Sequence, residues 1–261
     1  MIIDAHAHIY PDKIALKAAA SIGEFYHIPM ELDGTLHTLL ERGGAAGIDR
    51  FLVHSVAVTW ERAHAINDFI AASVAAYPDK LIGFGAMHPD HPELDKELDR
   101  LMALGLRGVK LHPDFQHFCL DDPAAIRLFE ALAERELPVL IHTGDKRYPY
   151  SQPERMARAL DRVPRLRAIC AHLGGWSVWS DAWKLLAGRP NVYVDCSSSL
   201  YALTPEEAVR VMHRYGVDHV FFGTDYPMWK PEEELARFAA LPLTEEERNK
   251  ILHENLERFL T

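Results

Sequence analysis

His6 and His8 lie one residue apart in the run Asp4-Ala5-His6-Ala7-His8, flanked by Ile2, Ile3 and Ile9. The apolar flanks read as a short buried strand, on which residues i and i+2 share a face. Two imidazoles side by side are what a strand offers a divalent metal as nitrogen ligands. Two ordinary histidines at a strand end look the same. The metal reading therefore depends on whether the rest of the chain supplies matching ligands at matching places.

Seven further strand-like runs follow, at residues 51–55, 81–86, 108–112, 139–142, 168–172, 192–195 and 220–223. Helical patterns separate them at 63–77, 92–104, 124–135, 205–215 and 244–259. Asp122-Pro123 and Thr204-Pro205-Glu206-Glu207 are N-terminal signals. Gly105 and Gly216 stand where helices end. Eight strands alternating with helices predict parallel strands joined by right-handed crossovers. The fold expected is α/β, a single (β/α)8 TIM barrel forming one domain over residues 1–261. The first interval is the longest, which leaves residues 9–34 as an extra loop over the first strand end. Its Tyr10, Phe25, Tyr26 and His27 are candidates either to line a pocket or to pack the loop down.

Active sites of this fold sit at the C-terminal ends of the strands, and the unusual polar residues gather there. His6 and His8 end the first strand, Lys110 lies near the end of the fourth, and His142 and His172 end the fifth and sixth. Asp225 follows the eighth in Gly223-Thr224-Asp225-Tyr226-Pro227. A buried histidine or aspartate costs several kcal/mol unless it is paired or bound to a metal. Four histidines and an aspartate at one rim point to a divalent cation held by His6, His8, His142 and Asp225. Zinc is the first choice for that donor set, with manganese or iron as alternatives. Lys110 sits between Val109 and Leu111, so on a pleated strand it faces opposite to both and into the barrel mouth.

Composition narrows the partners. The chain has 261 residues, 48% apolar and 25% charged, with a formal net charge of −10. A polyanion needs a basic face, so nucleic acid is excluded and a small-molecule substrate is expected. Cys119, Cys170 and Cys196 read as reduced thiols. Met1 leads straight into a strand, and no apolar run reaches the ~20 residues needed to cross a bilayer. A cytoplasmic protein with no membrane partner is expected, and a homo-oligomer is compatible with it.

Five motifs together resemble the amidohydrolase superfamily, and within it the TIM-barrel metal-dependent hydrolase branch that includes aminocarboxymuconate-semialdehyde decarboxylase-like enzymes. They are Ile3-Asp4-Ala5-His6-Ala7-His8, Val109-Lys110-Leu111-His112-Pro113, Ile141-His142-Thr143-Gly144, Ala171-His172-Leu173-Gly174-Gly175 and Phe222-Gly223-Thr224-Asp225-Tyr226-Pro227. The closing segment Ile251-Leu252-His253-Glu254-Asn255-Leu256 is similar to that branch as well. The resemblance implies that His6, His8, His142 and Asp225 hold a metal carrying water or hydroxide. It implies that His172 ligates a second metal or activates the water, and that Asp225 moves a proton. In binuclear members such as phosphotriesterase a carboxylated lysine ending strand four bridges two metals. Lys110 either matches it, giving two ions rather than one, or pairs with a carboxylate of the protein or of the substrate.

Other candidates carry two readings each. Lys146, Arg147 and Tyr148, with Tyr150, form a loop after His142 that would clamp a substrate carboxylate or phosphate, or be solvated. Ser197, Ser198 and Ser199 would bond substrate or cap a helix. Trp176, Trp179 and Trp229 would wall a pocket or pack a lid. His54, His88 and His112 also end strands and are left outside the ligand set. The activity expected is metal-dependent hydrolysis of an ester, lactone or amide of a small carboxylated compound. Non-oxidative decarboxylation by the same metal shell is the alternative, and a metal-binding barrel without turnover the rival from another class.

Overall fold

The structure is a computed structural model and describes residues 1–261. Eight parallel strands form the centre: β1 (Ile3–His8), β2 (Arg50–His54), β3 in two segments (Leu81–Gly83 and Gly85–Ala86), β4 (Val109–Leu111), β5 (Val139–Ile141), β6 (Ala168–Cys170), β7 (Val192–Asp195) and β8 (Val220–Phe221). Every neighbouring pair is parallel. The break in β3 falls at Phe84, whose N–H donates to Val53 O at 3.0 Å, while Gly85 N–H donates to Gly108 O at 2.8 Å. At the other seam Ala5 N–H donates to Phe222 O (2.8 Å), Asp225 N–H to His6 O (2.8 Å) and His8 N–H to Tyr226 O (2.7 Å). These bonds carry the strand ladder round a closed circle. No helix is long and apolar enough to cross a membrane.

The pleat decides what enters the barrel. Ile3, Ala5, Leu52, Ile82, Leu140, Ile169 and Phe221 belong to an inner apolar cluster that also takes Leu256 and Phe259 from the last helical segment. Ala7, Val53, Val109, Leu111, Val139 and Ile141 belong to the cluster between strands and helices. In β1 the pairing register shifts between Asp4 and Ala7. That irregularity exchanges the two faces: Ile3 and Ala5 point inward below it, and His6 and His8 point inward above it. Lys110 faces inward between two outward residues, as the sequence predicts, and is fully buried.

Helix starts follow their sequence signals. Thr204 forms a reciprocal cap with Glu207 at the head of the helix Pro205–Tyr215, and Thr244 does the same with Glu247. The last helical region runs from Glu245 to Leu260 with a π turn at Lys250–Glu254. The Ile251 carbonyl in that turn accepts from Phe222 N–H at 2.9 Å, and Asn255 Nδ2 donates to Val220 O at 2.9 Å. Both bonds tie the helix to β8, next to Asp225.

The structure departs from the sequence reading in its loops. Residues 9–34 contain a 15-residue helix, Asp12–Tyr26. Helices Leu36–Ala45, Pro153–Arg162, Trp179–Leu186 and Pro231–Ala239 were not singled out by sequence pattern. Leu36–Ala45 shows why: Gly43 and Gly44 weaken its helical signal. Gly43 is required, because a Cβ there would meet the Phe51 ring at 2.4 Å.

Candidate metal centre

The strand ends place His6, His8, Lys110, His142, His172 and Asp225 around one cavity, together with His112. Ile22, Tyr26, Phe115, Pro227 and Met228 complete its lining. All five residues of the expected His/Asp set, and Lys110, therefore meet at one place.

His6 is the most constrained of them. Its Nδ1 donates to Asp195 Oδ2 at 2.9 Å. Asp195 is itself fixed, because its Oδ1 accepts from Ser197 N–H (3.1 Å), Ser197 O–H (2.5 Å) and His172 N–H (3.3 Å). A carboxylate on one ring nitrogen sets the tautomer and frees the other for a metal. The freed His6 Nε2 stands 3.3 Å from Asp225 Oδ1, and Lys110 Nζ donates to it at 3.0 Å. His8 Nε2 lies 3.4 Å from the same Asp225 oxygen. The other Asp225 oxygen accepts from Ser198 O–H at 2.5 Å, and Trp229 Nε1–H donates to Ser198 Oγ at 2.8 Å. His172 donates from Nδ1 to Ser197 O at 3.0 Å, which turns Nε2 toward the cavity. His142 stacks on His112 with ring centres 4.1 Å apart and stands 4.9 Å from the His172 ring.

The charge states suit a cation. Burial, the largest influence, holds His6, His8, His54, His112 and His142 below the ordinary imidazole value and so neutral. Neutral imidazole is the ligating form. Burial works against charge on Asp225 as well, but His6, His8 and His172 around it hold it well below the usual carboxylate range. Burial pushes Lys110 down to about 8 against the pull of Asp225 and Asp195. Several buried atoms have no hydrogen-bond partner: His8 Nδ1, both nitrogens of His54 and both of His142, whose Nε2 has Asp114 Oδ2 at 3.5 Å as its nearest carboxylate. Buried polar atoms are satisfied almost without exception, so this group of unpaired imidazole nitrogens beside an ionised carboxylate fits a divalent cation.

Two triads bring ligand atoms within 4.8 Å of one another, His6–His8–His54 and His6–His172–Asp195. The second is a hydrogen-bonded support, since both Asp195 oxygens are already committed. His54 ends β2 and faces its ring to His8 at 4.4 Å and to His6 at 4.9 Å. His142 lies outside both triads.

Backbone strain is concentrated at this rim. His172, Leu173, Ser198 and Asp225 have φ of 61°, 51°, 46° and 58°, a region that costs a non-glycine residue about 1–3 kcal/mol. Gly144 (φ +80°) lets the His142 loop touch the His172 loop, where a Cβ would meet Gly175 Cα at 2.7 Å and Trp176 N at 2.8 Å. Gly144→Ala is expected to destabilise the protein by about 2–4 kcal/mol, read by denaturant unfolding. A loss below about 0.5 kcal/mol would show that the two loops yield freely.

The expected clamp of Lys146, Arg147 and Tyr148 is not at the cavity. Lys146 is exposed, and only its backbone N–H is engaged, by Ser177 Oγ. Arg147 binds both oxygens of Asp145 (3.0 and 2.8 Å) and Phe25 O (2.8 Å). Tyr148 stacks on Phe25 with ring centres 5.2 Å apart. The Arg147 cation meets a buried protein carboxylate two residues away, and none of the three residues is among those lining the cavity. Of the four loop residues 10, 25, 26 and 27, only Tyr26 lines the cavity. Ser197 and Ser198 serve the ligands rather than a helix cap. Sequence reasoning gave no role to Asp195, although it too ends a strand, and it set aside His54 and His112 only because the histidines were too many.

A closed parallel barrel whose strand ends gather histidines and an aspartate for a divalent cation defines a metal-dependent barrel enzyme. The sequence matches the family described as Amidohydrolase over residues 3–261, and the chain belongs to that family. It is 26% identical over 247 residues to the gamma-resorcylate decarboxylase of Polaromonas sp. (strain JS666), covering 73% of each chain. It is also 26% identical over 204 residues to the 2-amino-3-carboxymuconate-6-semialdehyde decarboxylase of Dictyostelium discoideum, covering 62% of this chain and 55% of that one. In fold it resembles the 5-carboxyvanillate decarboxylase of Novosphingobium aromaticivorans solved with manganese and 4-hydroxy-3-methoxy-5-nitrobenzoic acid. That similarity has a TM-score of 0.76 at 19% identity and covers 100% of this chain and 96% of that one.

Proposed function

We propose that this chain is a metal-dependent, non-oxidative decarboxylase of a small aromatic or unsaturated carboxylic acid. The observation that carries the reading is the mixed lining of one cavity: the expected cation ligands and Lys110 together with the apolar Ile22, Phe115, Pro227 and Met228. A planar ring suits the apolar residues and a carboxylate the cationic ones. The relatives named above are decarboxylases, which supports placing decarboxylation ahead of hydrolysis, the reverse of the order read from sequence. The manganese of the 5-carboxyvanillate enzyme supports manganese beside zinc.

His6, His8, His142 and Asp225 would hold the cation, with His54 behind them. Such a cation, when bound, neutralises substrate charge and draws electron density from the bond that breaks. Lys110 grips the substrate carboxylate. Breaking the C–C bond releases CO₂ and leaves the electron pair on carbon, and that carbon needs a proton. Asp225 is ionised at rest, so the proton it hands to that carbon is the substrate's own acidic proton, taken up when the substrate binds. His172, its Nδ1 proton fixed on Ser197, offers Nε2 as acceptor for an acidic proton of the substrate. The apolar wall excludes water.

The test is a panel of hydroxybenzoic acids and lactones given to the protein loaded with manganese or zinc. We expect CO₂ release from at least one acid, abolished by a chelator and restored by the metal. Lactone hydrolysis without CO₂ release, or turnover untouched by the chelator, would overturn the proposal. One observation favours the hydrolytic alternative: Lys110 lies 3.0 Å from His6 and lines the same cavity as His142 and His172, the neighbours that a carboxylated lysine would need.

A further inference from the structure

The helix Asp12–Tyr26 is an addition to the strand–helix repeat, and it supplies part of the cavity wall. Ile22 and Tyr26, four residues apart and so on one face of the helix, both reach the cavity. Ala15, Ala19 and Gly23 bury beside them.

The hydroxyl of Tyr26 has one protein partner, His112 Nε2 at 2.8 Å. His112 Nδ1 accepts the N–H of Phe115 at 3.4 Å, capping the short helix Pro113–Gln116. The same Phe115 N–H donates to the His112 carbonyl at 3.0 Å. A phenol hydroxyl both donates and accepts, so its one bond to His112 leaves Tyr26 Oη further hydrogen-bonding capacity that no protein group takes, on a residue that lines the cavity. Its ring is wedged edge-on against Trp176 with centres 5.0 Å apart.

Arg147 explains how the hydroxyl is held. Beyond its bonds to Asp145, it donates to the Phe25 carbonyl at 2.8 Å, one residue before Tyr26. Its guanidinium lies 4.9 Å from the Phe25 ring centre, 5.3 Å from that of Tyr26 and 5.4 Å from that of Trp176. Stacking on aromatic faces adds to the hydrogen bonds in fixing that position. The loop after β5 thus clamps the end of the added helix over the cavity.

We infer that Tyr26 is a specificity residue whose hydroxyl shares a hydrogen bond with a ring hydroxyl of the substrate, and that Arg147 is the positioning residue that keeps it there. Lys110, which lines the same cavity, takes the carboxylate, so the two groups read two oxygen functions of one ring. This inference rests on the decarboxylase reading and deepens it.

Calorimetric titration of the manganese-loaded protein with 2,6-dihydroxybenzoate and with benzoate tests it. Tyr26→Phe is expected to weaken 2,6-dihydroxybenzoate by ~10–30-fold, the range for a hydrogen bond to a charged or strongly polar group, and benzoate by less than ~3-fold. Arg147→Met should show the same selective loss, and the double variant should bind no more than ~2-fold worse than Tyr26→Phe alone. Residues that act through one another are non-additive, whereas a merely structural role for Arg147 would add. Equal losses for both ligands, no loss, or additive effects would overturn the inference while leaving CO₂ release by the wild type intact. Failure of the wild type to bind either acid would overturn it too, and the CO₂ assay then tells whether the proposed function falls with it.

Discussion

Asp225→Asn is expected to keep the fold and lose between ~10² and ~10⁴ of the turnover rate, the usual worth of a positioned proton carrier. The substitution preserves shape, and Ser198 can still donate to the side-chain oxygen that replaces Oδ2. It removes the negative charge that stands 3.3 Å from His6 Nε2 and 3.4 Å from His8 Nε2. An amide cannot carry the proton, and it is a weaker ligand than a carboxylate. Two measurements separate these losses: CO₂ release under saturating manganese, and metal content by elemental analysis. A variant with full metal and a slow rate assigns Asp225 to proton transfer. A variant whose rate returns as metal is raised assigns it to ligation. A rate within ~3-fold of wild type at ordinary metal concentration would remove it from both roles.

Lys110→Met should lower kcat/KM by ~10²–10³, the cost of removing one member of a buried charge pair. Lys110 is the one lysine or arginine lining the cavity. Methionine fills a similar volume, so the packing of the inner barrel is retained. Stability should move the other way. The folded-state pKa of Lys110 is about 8 against an ordinary 10.5. The metal-free protein therefore bears the full cost of a buried ammonium below about pH 8, and that cost fades as pH rises to about 10.5. The variant is expected to be at least as stable as wild type at pH 7, with the difference shrinking toward pH 10. Thermal unfolding at several pH values checks this, and a variant clearly less stable at pH 7 would show that the ammonium is better paired than its surroundings indicate. Metal content is expected to stay unchanged. A fall from two ions per chain to one, recovered with a small carboxylic acid, would instead make Lys110 the carboxylated bridge between two metals.

Much of this site was legible because β-structure has a period of two. His6 and His8 share a face for that reason alone, and Lys110 had to oppose Val109 and Leu111. The eight strands were legible from short apolar runs, and their boundaries hold within a few residues. Helices opened by a reciprocal Thr-to-Glu cap were legible at Thr204 and Thr244. Trp179–Leu186, which has no side-chain cap, was not, because packing against neighbours rather than local propensity stabilises it.

What the sequence by itself determined is the list of groups that reach the rim: histidines, a lysine and an aspartate placed after apolar strands, in an order that only a closed parallel barrel brings together. What only the tertiary structure decided is which partner each group has. Asp195 supports His6 across 189 positions of sequence. Arg147 is taken by Asp145 and the added helix rather than by substrate, and Tyr26 arrives over the cavity from a segment that reads as a loop. Strand periodicity is a local property and is written in neighbouring residues. The partner of a side chain at a barrel mouth is set by circular closure, which joins residues from opposite ends of the chain and leaves no local signal.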